Sequence, residues 1–297
     1  MTVRFLQISD CHVCVDPSRA EHGIDPNESL ARVVRSLQAR LPVDFVVVTG
    51  DLIGDDEPAS YDVLRSLLAP LSCPIRLLVG NHDLRAGFWE KLGPPGSGRL
   101  RPASPRPGSR DRAQSATSLG LSQSSPSFAS PAAETSDRSG LVPGDVSAEP
   151  YFYEFEVGDY RFLALDSQIP GEVPGRIDTR QMDWIEERIS ARPDAPTIVF
   201  VHHPPIETGI DWLDAHRISN GEELVGHLRR GNVQRIFFGH VHMPMALSTG
   251  SILCTSAPST CYGFSDAVTA PQMIGLRPGY QVIEADEDGV RSHIEWV

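Results

Sequence analysis

Aspartate, asparagine and histidine recur at the ends of short apolar runs in this chain. Asp10 and His12 follow the run 5–8, Asp51 follows 45–50, and Asn81, His82 and Asp83 follow 75–80. Asp166 ends the run 162–166, His202 and His203 close 198–203, and His240 and His242 follow 236–239. Carboxylate, amide and imidazole groups are oxygen and nitrogen donors for divalent cations. A mixed set without thiolate suits Mn²⁺, Fe²⁺, Co²⁺ or Zn²⁺ better than Ca²⁺. Taken singly, each motif reads as readily as a turn cap or a surface histidine. The ordered repetition does not.

The elements that must position these residues follow from hydrophobic periodicity. Strands are expected at 3–9, 43–49 and 75–79. The first helix is announced by Asp25-Pro26-Asn27-Glu28, a cap with proline in the first turn, and carries Leu30, Val33, Val34, Leu37 and Leu41 at helical spacing. A second helix opens at Pro58 with Tyr61, Leu64 and Leu68 on one face, and a short third lies near 85–92. This βαβαβ order implies parallel strands with right-handed crossovers. Later come a hairpin, 151–157 and 160–166, turned at Gly158-Asp159, a helix at 179–190, a strand at 196–202, a helix at 220–230 and a strand at 233–238. The tail reads as strands 244–249, 251–255, 279–286 and 290–297, the last pair turned at Asp288-Gly289. In open α/β sheets ligands bind beyond the carboxyl ends of the strands, where the motifs fall. The expected architecture is a four-layer α-β-β-α sandwich of two mixed sheets flanked by helices, in one domain spanning 1–297.

Residues 93–149 interrupt this pattern. Of these 57 residues 28 are Ser, Pro or Gly, too few of the remainder being large and apolar to offset the entropy of ordering, so disorder is expected there. The net charge of −13, from 39 acidic and 26 basic residues, argues against a broad nucleic-acid-binding face. It leaves room for a small anionic substrate, because bound cations reverse the local field. Cys11, Cys14, Cys73, Cys254 and Cys261 form no regular frame, so no disulfide scaffold is expected, and Cys11 and Cys14 read as small buried residues flanking His12. With no apolar run of about 18–20 residues and no leader at the first strand, the expectation is a soluble cytoplasmic protein without membrane attachment, free to form a homo-oligomer.

The order D-x-H, G-D, G-N-H-D, H-x-P and G-H-x-H resembles the calcineurin-like metallophosphoesterases. Ser9-Asp10, Gly80-Asn81-His82-Asp83, His202-His203-Pro204-Pro205, Gly239-His240-Val241-His242, Ala257-Pro258-Ser259-Thr260-Cys261 and Pro278-Gly279-Tyr280 look most like the branch of bacterial cyclic nucleotide and glycerophosphodiester phosphodiesterases. The resemblance implies two divalent metal ions, one held by Asp10, His12, Asp51 and His242, the other by Asp51, Asn81, His202 and His240, with Asp51 bridging. It leaves His203 outside the ligand set and makes His82 a substrate contact and proton donor. Two such ions, roughly 3.5–4 Å apart, clamp the attacking and leaving oxygens of an in-line displacement at phosphorus and lower the pKa of a bound water towards about 7.

The implied activity is hydrolysis of a small phosphodiester, a 3′,5′-cyclic nucleotide such as cyclic AMP or a glycerophosphodiester. A phosphomonoesterase or nuclease on the same core is the alternative, although no basic track for a strand is evident. A non-catalytic scaffold is the reading from another class. Asp83 and Asp166 could support histidine ligands or serve as turn carboxylates. His22, His216, His227 and His293 are expected at the surface.

Overall fold

The computed structural model describes residues 1–19, 23–93, 149–267, 269–275 and 278–297. The expected disorder of 93–149, its two end residues apart, and the placement of His22 lie outside the described residues.

β1 (Val3–Ile8), β2 (Phe45–Thr49) and β3 (Ile75–Leu78) pair in parallel through α1 (Pro26–Gln38) and α2 (Ser60–Leu68). All five residues of β2 are buried, as a central strand covered on both faces requires. α1 begins where the Asp25 carboxylate accepts from the backbone N–H groups of Asn27 and Glu28, and it buries Leu30, Val33, Val34 and Leu37. It stops at Gln38, three residues short of the expected Leu41. Leu41 precedes Pro42, and the residue before proline is driven out of the helical region. α3 (Arg85–Leu92) follows β3.

The second half builds another sheet from β4 (Tyr153–Val157), β5 (Tyr160–Ala164), β6 (Thr197–Phe200), β7 (Val233–Phe238), β8 (Met245–Thr249) and β9 (Ile252–Ser256), in the order β4-β5-β6-β7-β9-β8. The pairs β5–β6, β6–β7 and β7–β9 are parallel; the two edges are antiparallel. Its helices are α4 (Thr179–Ala191), the short α5 (Asp211–Asp214) and α6 (Gly221–Leu228). β10 (Gly263–Phe264) and β11 (Met273–Ile274) form a small ribbon, and β12 (Gly279–Asp286) and β13 (Gly289–Trp296) return to the first sheet in the order β13-β12-β1-β2-β3. The final hairpin turns at Glu287-Asp288 rather than Asp288-Gly289, because Asp286 pairs with Gly289. α5, β10 and β11 escape sequence reading because two to four residues are too short to show a period.

Alternation along β6 sets the layers. Ile198 and Phe200 join the core holding Phe5 and Phe45 of the first sheet, while Val199 and Val201 join Ile185, Ile189, Leu224 and Leu228 of α4 and α6. Between the sheets, the Phe5 ring meets Phe162, Phe200 and Phe237 edge-on, each at 5.7 Å. The molecule is therefore a mixed α/β protein with two large mixed sheets face to face and helices outside. Since β1, β2, β3, β6 and β7 run in parallel within their sheets, their carboxyl ends gather the motif residues at one edge. Among the described residues, no helix is long and apolar enough to cross a membrane.

Candidate metal centre

The backbone marks this edge before any side chain is considered. Among the described residues, the non-glycine residues with positive φ are Asp10 (54°), His12 (47°), Asp51 (49°), His240 (68°) and His242 (54°). Left-handed backbone costs an L-residue about 1–2 kcal/mol, and such strain clusters where function requires it. All five residues belong to the expected ligand set.

Their side chains meet. His12 Nε2 lies 3.1 Å from His242 Nε2, and His242 Nε2 lies 3.5 Å from Asp10 Oδ1. Asp51 Oδ2 stands 3.7 Å from His12 Nε2, while its other oxygen, Oδ1, stands 3.3 Å from His202 Nε2. Asn81 Oδ1 is 3.2 Å from His202 Nε2 and 3.0 Å from His240 Nδ1. Bonds of about 2.0–2.2 Å to one ion put neighbouring donors roughly 3.0–3.4 Å apart. The donor separations fit two cations, with Asp51 facing both groups. Asn81, His202, His240 and His242 are all buried, and His82 is 28 % exposed at the side chain.

Hydrogen bonds fix which imidazole nitrogens are available. A carbonyl only accepts, so His202 Nδ1, 2.7 Å from the Thr49 carbonyl, carries hydrogen and leaves Nε2 as the nitrogen that can exchange a proton for a cation. His242 Nδ1 donates to the Tyr262 carbonyl at 2.9 Å, which frees its Nε2 in the same way. These backbone partners orient the ligands as outer-shell groups do in metal sites. His203 differs. Its Nε2 donates to the Val173 carbonyl at 2.9 Å and its Nδ1 accepts from Ser167 Oγ at 2.7 Å. Although His202, His203 and His240 are close enough to share an ion, both His203 nitrogens are committed to protein partners.

Charge and burial pull the cluster in opposite directions. Burial holds His12 and His240 well below the usual imidazole range and brings His242 and His203 down to about 3, so these rings are neutral. Burial, reinforced by Asp51, pushes Asp10 up to about 7. Asp51 is itself buried, yet His202 and His82 hold its carboxyl well below the normal value. His202 reaches about 9 because the Asp51 carboxylate overrides burial. Without a cation, a proton on His202 neutralises Asp51. A divalent ion is the natural replacement for that proton.

Close packing locks the geometry. A Cβ on Gly80 would stand 2.2 Å from Asp51 Oδ1 and 2.7 Å from His202 Nε2. His82 donates its backbone N–H to Asp51 Oδ1 at 2.9 Å, and its ring meets the His12 ring edge-on at 4.7 Å. Asp83 accepts from the backbone N–H of Gly80 (2.8 Å) and Leu52 (3.1 Å) and from the Tyr61 hydroxyl (3.1 Å). Asp166 accepts from the backbone of Tyr151 (2.7 Å) and Gln168 (2.8 Å) and pairs with Arg85. The hydrogen bonds of these two carboxylates thus hold loops together, and among the described residues none reaches a histidine of the cluster.

Two expectations for outlying histidines need correction. His216 is partly buried, its ring 6.2 Å from that of His240, because the α5 loop folds back over the strand ends. His227 is only 17 % exposed and faces Glu186; His293 is surface-exposed as expected. Sequence reading missed Tyr262, whose ring lies 4.6 Å from His242 and 5.4 Å from His12. Its only signal was adjacency to the 257–261 segment, which Ser259 Oγ ties to the Asp10 carbonyl at 2.9 Å.

A 3′,5′-cyclic adenosine monophosphate phosphodiesterase, CpdA of Pseudomonas aeruginosa, is 26 % identical over 290 residues, covering 97 % of this chain and 87 % of that one. The glycerophosphodiester phosphodiesterase GpdQ of Enterobacter lignolyticus is 30 % identical over 239 residues, 79 % of this chain and 69 % of that one. A dimetal phosphatase from Danio rerio has the same fold, with a TM-score of 0.57 at 14 % identity over 99 % of this chain and 98 % of that one. The family model described as calcineurin-like phosphoesterase matches residues 3–244, a span that contains every donor of the cluster, and the chain belongs to that family.

Proposed function

We propose that this protein is a dinuclear-metal phosphodiesterase for a small diester, a 3′,5′-cyclic nucleotide such as cyclic AMP first and a glycerophosphodiester second. In this reading Asp10, His12, Asp51 and His242 hold one divalent cation, and Asp51, Asn81, His202 and His240 hold the other. Residues 1–297 act as one domain, in the cytoplasm. When bound, the cations supply Lewis-acid charge and bring the pKa of a water near 7.

The observation that carries the proposal is the orientation of Asp51, whose two oxygens face different histidines, His12 and His202. A shared carboxylate keeps two cations close with the least negative charge. The neutral donors Asn81, His202, His240, His12 and His242 add none, so the loaded centre stays cationic and attracts a diester anion. His82 stands beside this centre and lines the adjoining pocket, where an imidazolium can protonate a departing alkoxide. The names of the relatives CpdA and GpdQ support a diester in preference to a monoester.

The test is a parallel assay of the metal-loaded protein on bis(p-nitrophenyl) phosphate and p-nitrophenyl phosphate, followed by cyclic AMP and a glycerophosphodiester. Faster diester turnover is expected. Stronger monoester turnover would contradict the reading.

A further inference from the structure

Of the outer strands of the two large sheets, β13, β3, β4 and β8, one is unlike the rest. β13 is eight residues long, whereas β3 has four and β4 and β8 have five. Edge strands are commonly blunted by short length, lysine, proline or a bulge, because their unpaired backbone invites another strand. β13 contains no lysine or proline, and its register with β12 runs without a shift from Gly289 to Trp296. Among the described residues no strand pairs with its outer side. Trp296, near its end, is 37 % exposed.

The hairpin turn decides which backbone groups face outward. Asp286 and Gly289 flank a two-residue loop, so they form a hydrogen-bonded pair, and such pairs alternate from there. The Val297 N–H, donating to the Pro278 carbonyl at 2.8 Å, keeps the same alternation at the other end. Gly289, Arg291, His293 and Glu295 therefore bond to β12, while Val290, Ser292, Ile294 and Trp296 aim their backbone groups away from it. Of these, the Val290 carbonyl is taken by Arg235.

We propose that β13 pairs antiparallel with β13 of a second copy of this chain, about a twofold axis at His293. That register uses the whole strand. Ser292 exchanges hydrogen bonds with the partner's Ile294, and Val290 lies opposite the partner's Trp296, a β-branched residue against an aromatic one. Arg291 lies opposite the partner's Glu295, and Glu295 opposite the partner's Arg291, at the positions where side chains stand closest. Moving the axis by one residue sets Arg291 against His293 or Val297 and loses both charge pairs. Within the chain Arg291 pairs with Asp286, and Glu295 with Arg40 and His293. Such exposed pairs are weak, so these charges can join a network across the axis. The strand is complementary to itself in one register, and the sheet continues through both copies.

Sedimentation velocity of the full chain tests the pairing. At about 50 µM the unaltered protein should sediment as a dimer, at twice the 32.5 kDa chain mass. Arg291→Glu and Glu295→Arg each set like charges opposite one another across the axis, and each should weaken self-association by about tenfold or more. Mixed in equal amounts, the two variants regain an opposite charge at both sites, and a heterodimer should form. That recovery depends on the register, since each variant keeps its own local neighbours in the mixture.

Ile294→Pro removes an outward N–H but no bond to β12, and it should give a monomer with an unchanged circular dichroism spectrum. The charge variants carry the test if the proline disturbs the fold. A monomer at this concentration in the unaltered protein would overturn the proposal. A dimer that survives Ile294→Pro with the fold intact would place the contact on another face and overturn it too. Charge variants that dimerise as well as the parent, or that fail to recover on mixing, would do the same.

Discussion

Two parts of this molecule hold left-handed backbone with different residues. At hairpin turns it falls to glycine: Gly158 (φ 58°) between β4 and β5, Gly250 (63°) between β8 and β9, and Gly289 (118°) after the final turn. At the strand ends facing the cluster, similar angles are carried by Asp10, His12, Asp51, His240 and His242. Glycine adopts these angles without penalty. At these five positions glycine would deliver no donor atom to the proposed centre, whereas Gly50 (φ 94°), beside them, delivers none and takes its angle freely. Strain without a chemical need is removed; strain with one is kept.

The largest expected effect comes from removing the shared donor. Asp51→Asn should lower diester turnover by about a thousandfold or more, with reduced metal content and an unchanged circular dichroism spectrum. Retained turnover would break the link between left-handed backbone and ligand duty.

Gly80→Ala should come next. The added methyl overlaps Asp51 Oδ1 and His202 Nε2, and displacing donors by about 1 Å can cost roughly a hundredfold in rate. Kinetics and metal analysis of this variant would show whether the glycine keeps space for both ligands. Normal turnover would deny it.

Cation removal should act on stability in a pH-dependent way. Asp10, raised by burial to about 7, sits above its unfolded value, so the metal-free fold loses that advantage as pH rises through about 7. His202, raised by Asp51 to about 9, contributes stability that is complete below about 6.5 and lost as pH rises through about 9. The signs agree but the windows differ: Asp10 acts from about 3.9 to about 7, so between about 7 and 9 the fall in metal-free stability is carried by His202. A cation displaces these protons, so its affinity rises over the same window. Thermal melts with chelator and with Mn²⁺ should therefore diverge as pH increases, by about 2.7 kcal/mol or more once the ion exceeds its Kd a hundredfold. Melts that converge would contradict the charge balance.

The smallest effect sharpens the comparison from the turn side. Gly250→Ala places a methyl at φ 63°, with Arg229 side-chain atoms no closer than 3.4 Å. It should cost about 1–2 kcal/mol in denaturant unfolding and leave kcat untouched.

Much of this fold was legible because apolar periods are long and distinct. The runs behind β1, β2, β3, β6 and β7 announced parallel strands, and their ends announced where polar groups would collect. The structure brings Asp10, His12, Asp51, Asn81, His202, His240 and His242 together at that edge, with His82 beside them. Sequence could not reveal what depends on loop paths. The Thr49 and Tyr262 carbonyls that set imidazole tautomers are backbone atoms with no residue signature. Asp83 and Asp166 carried the right chemistry to support histidines, yet backbone N–H groups lie nearer and claim them. His216 reads as a surface residue until the α5 loop is seen to fold towards His240.

Anomalous diffraction from crystals grown with Mn²⁺ tests the central claim most directly. Two peaks roughly 3.5–4 Å apart are predicted on either side of Asp51, one among Asp10, His12 and His242, the other among Asn81, His202 and His240. A single peak, or a second peak bound by His203 with Asn81 turned away, would contradict the account.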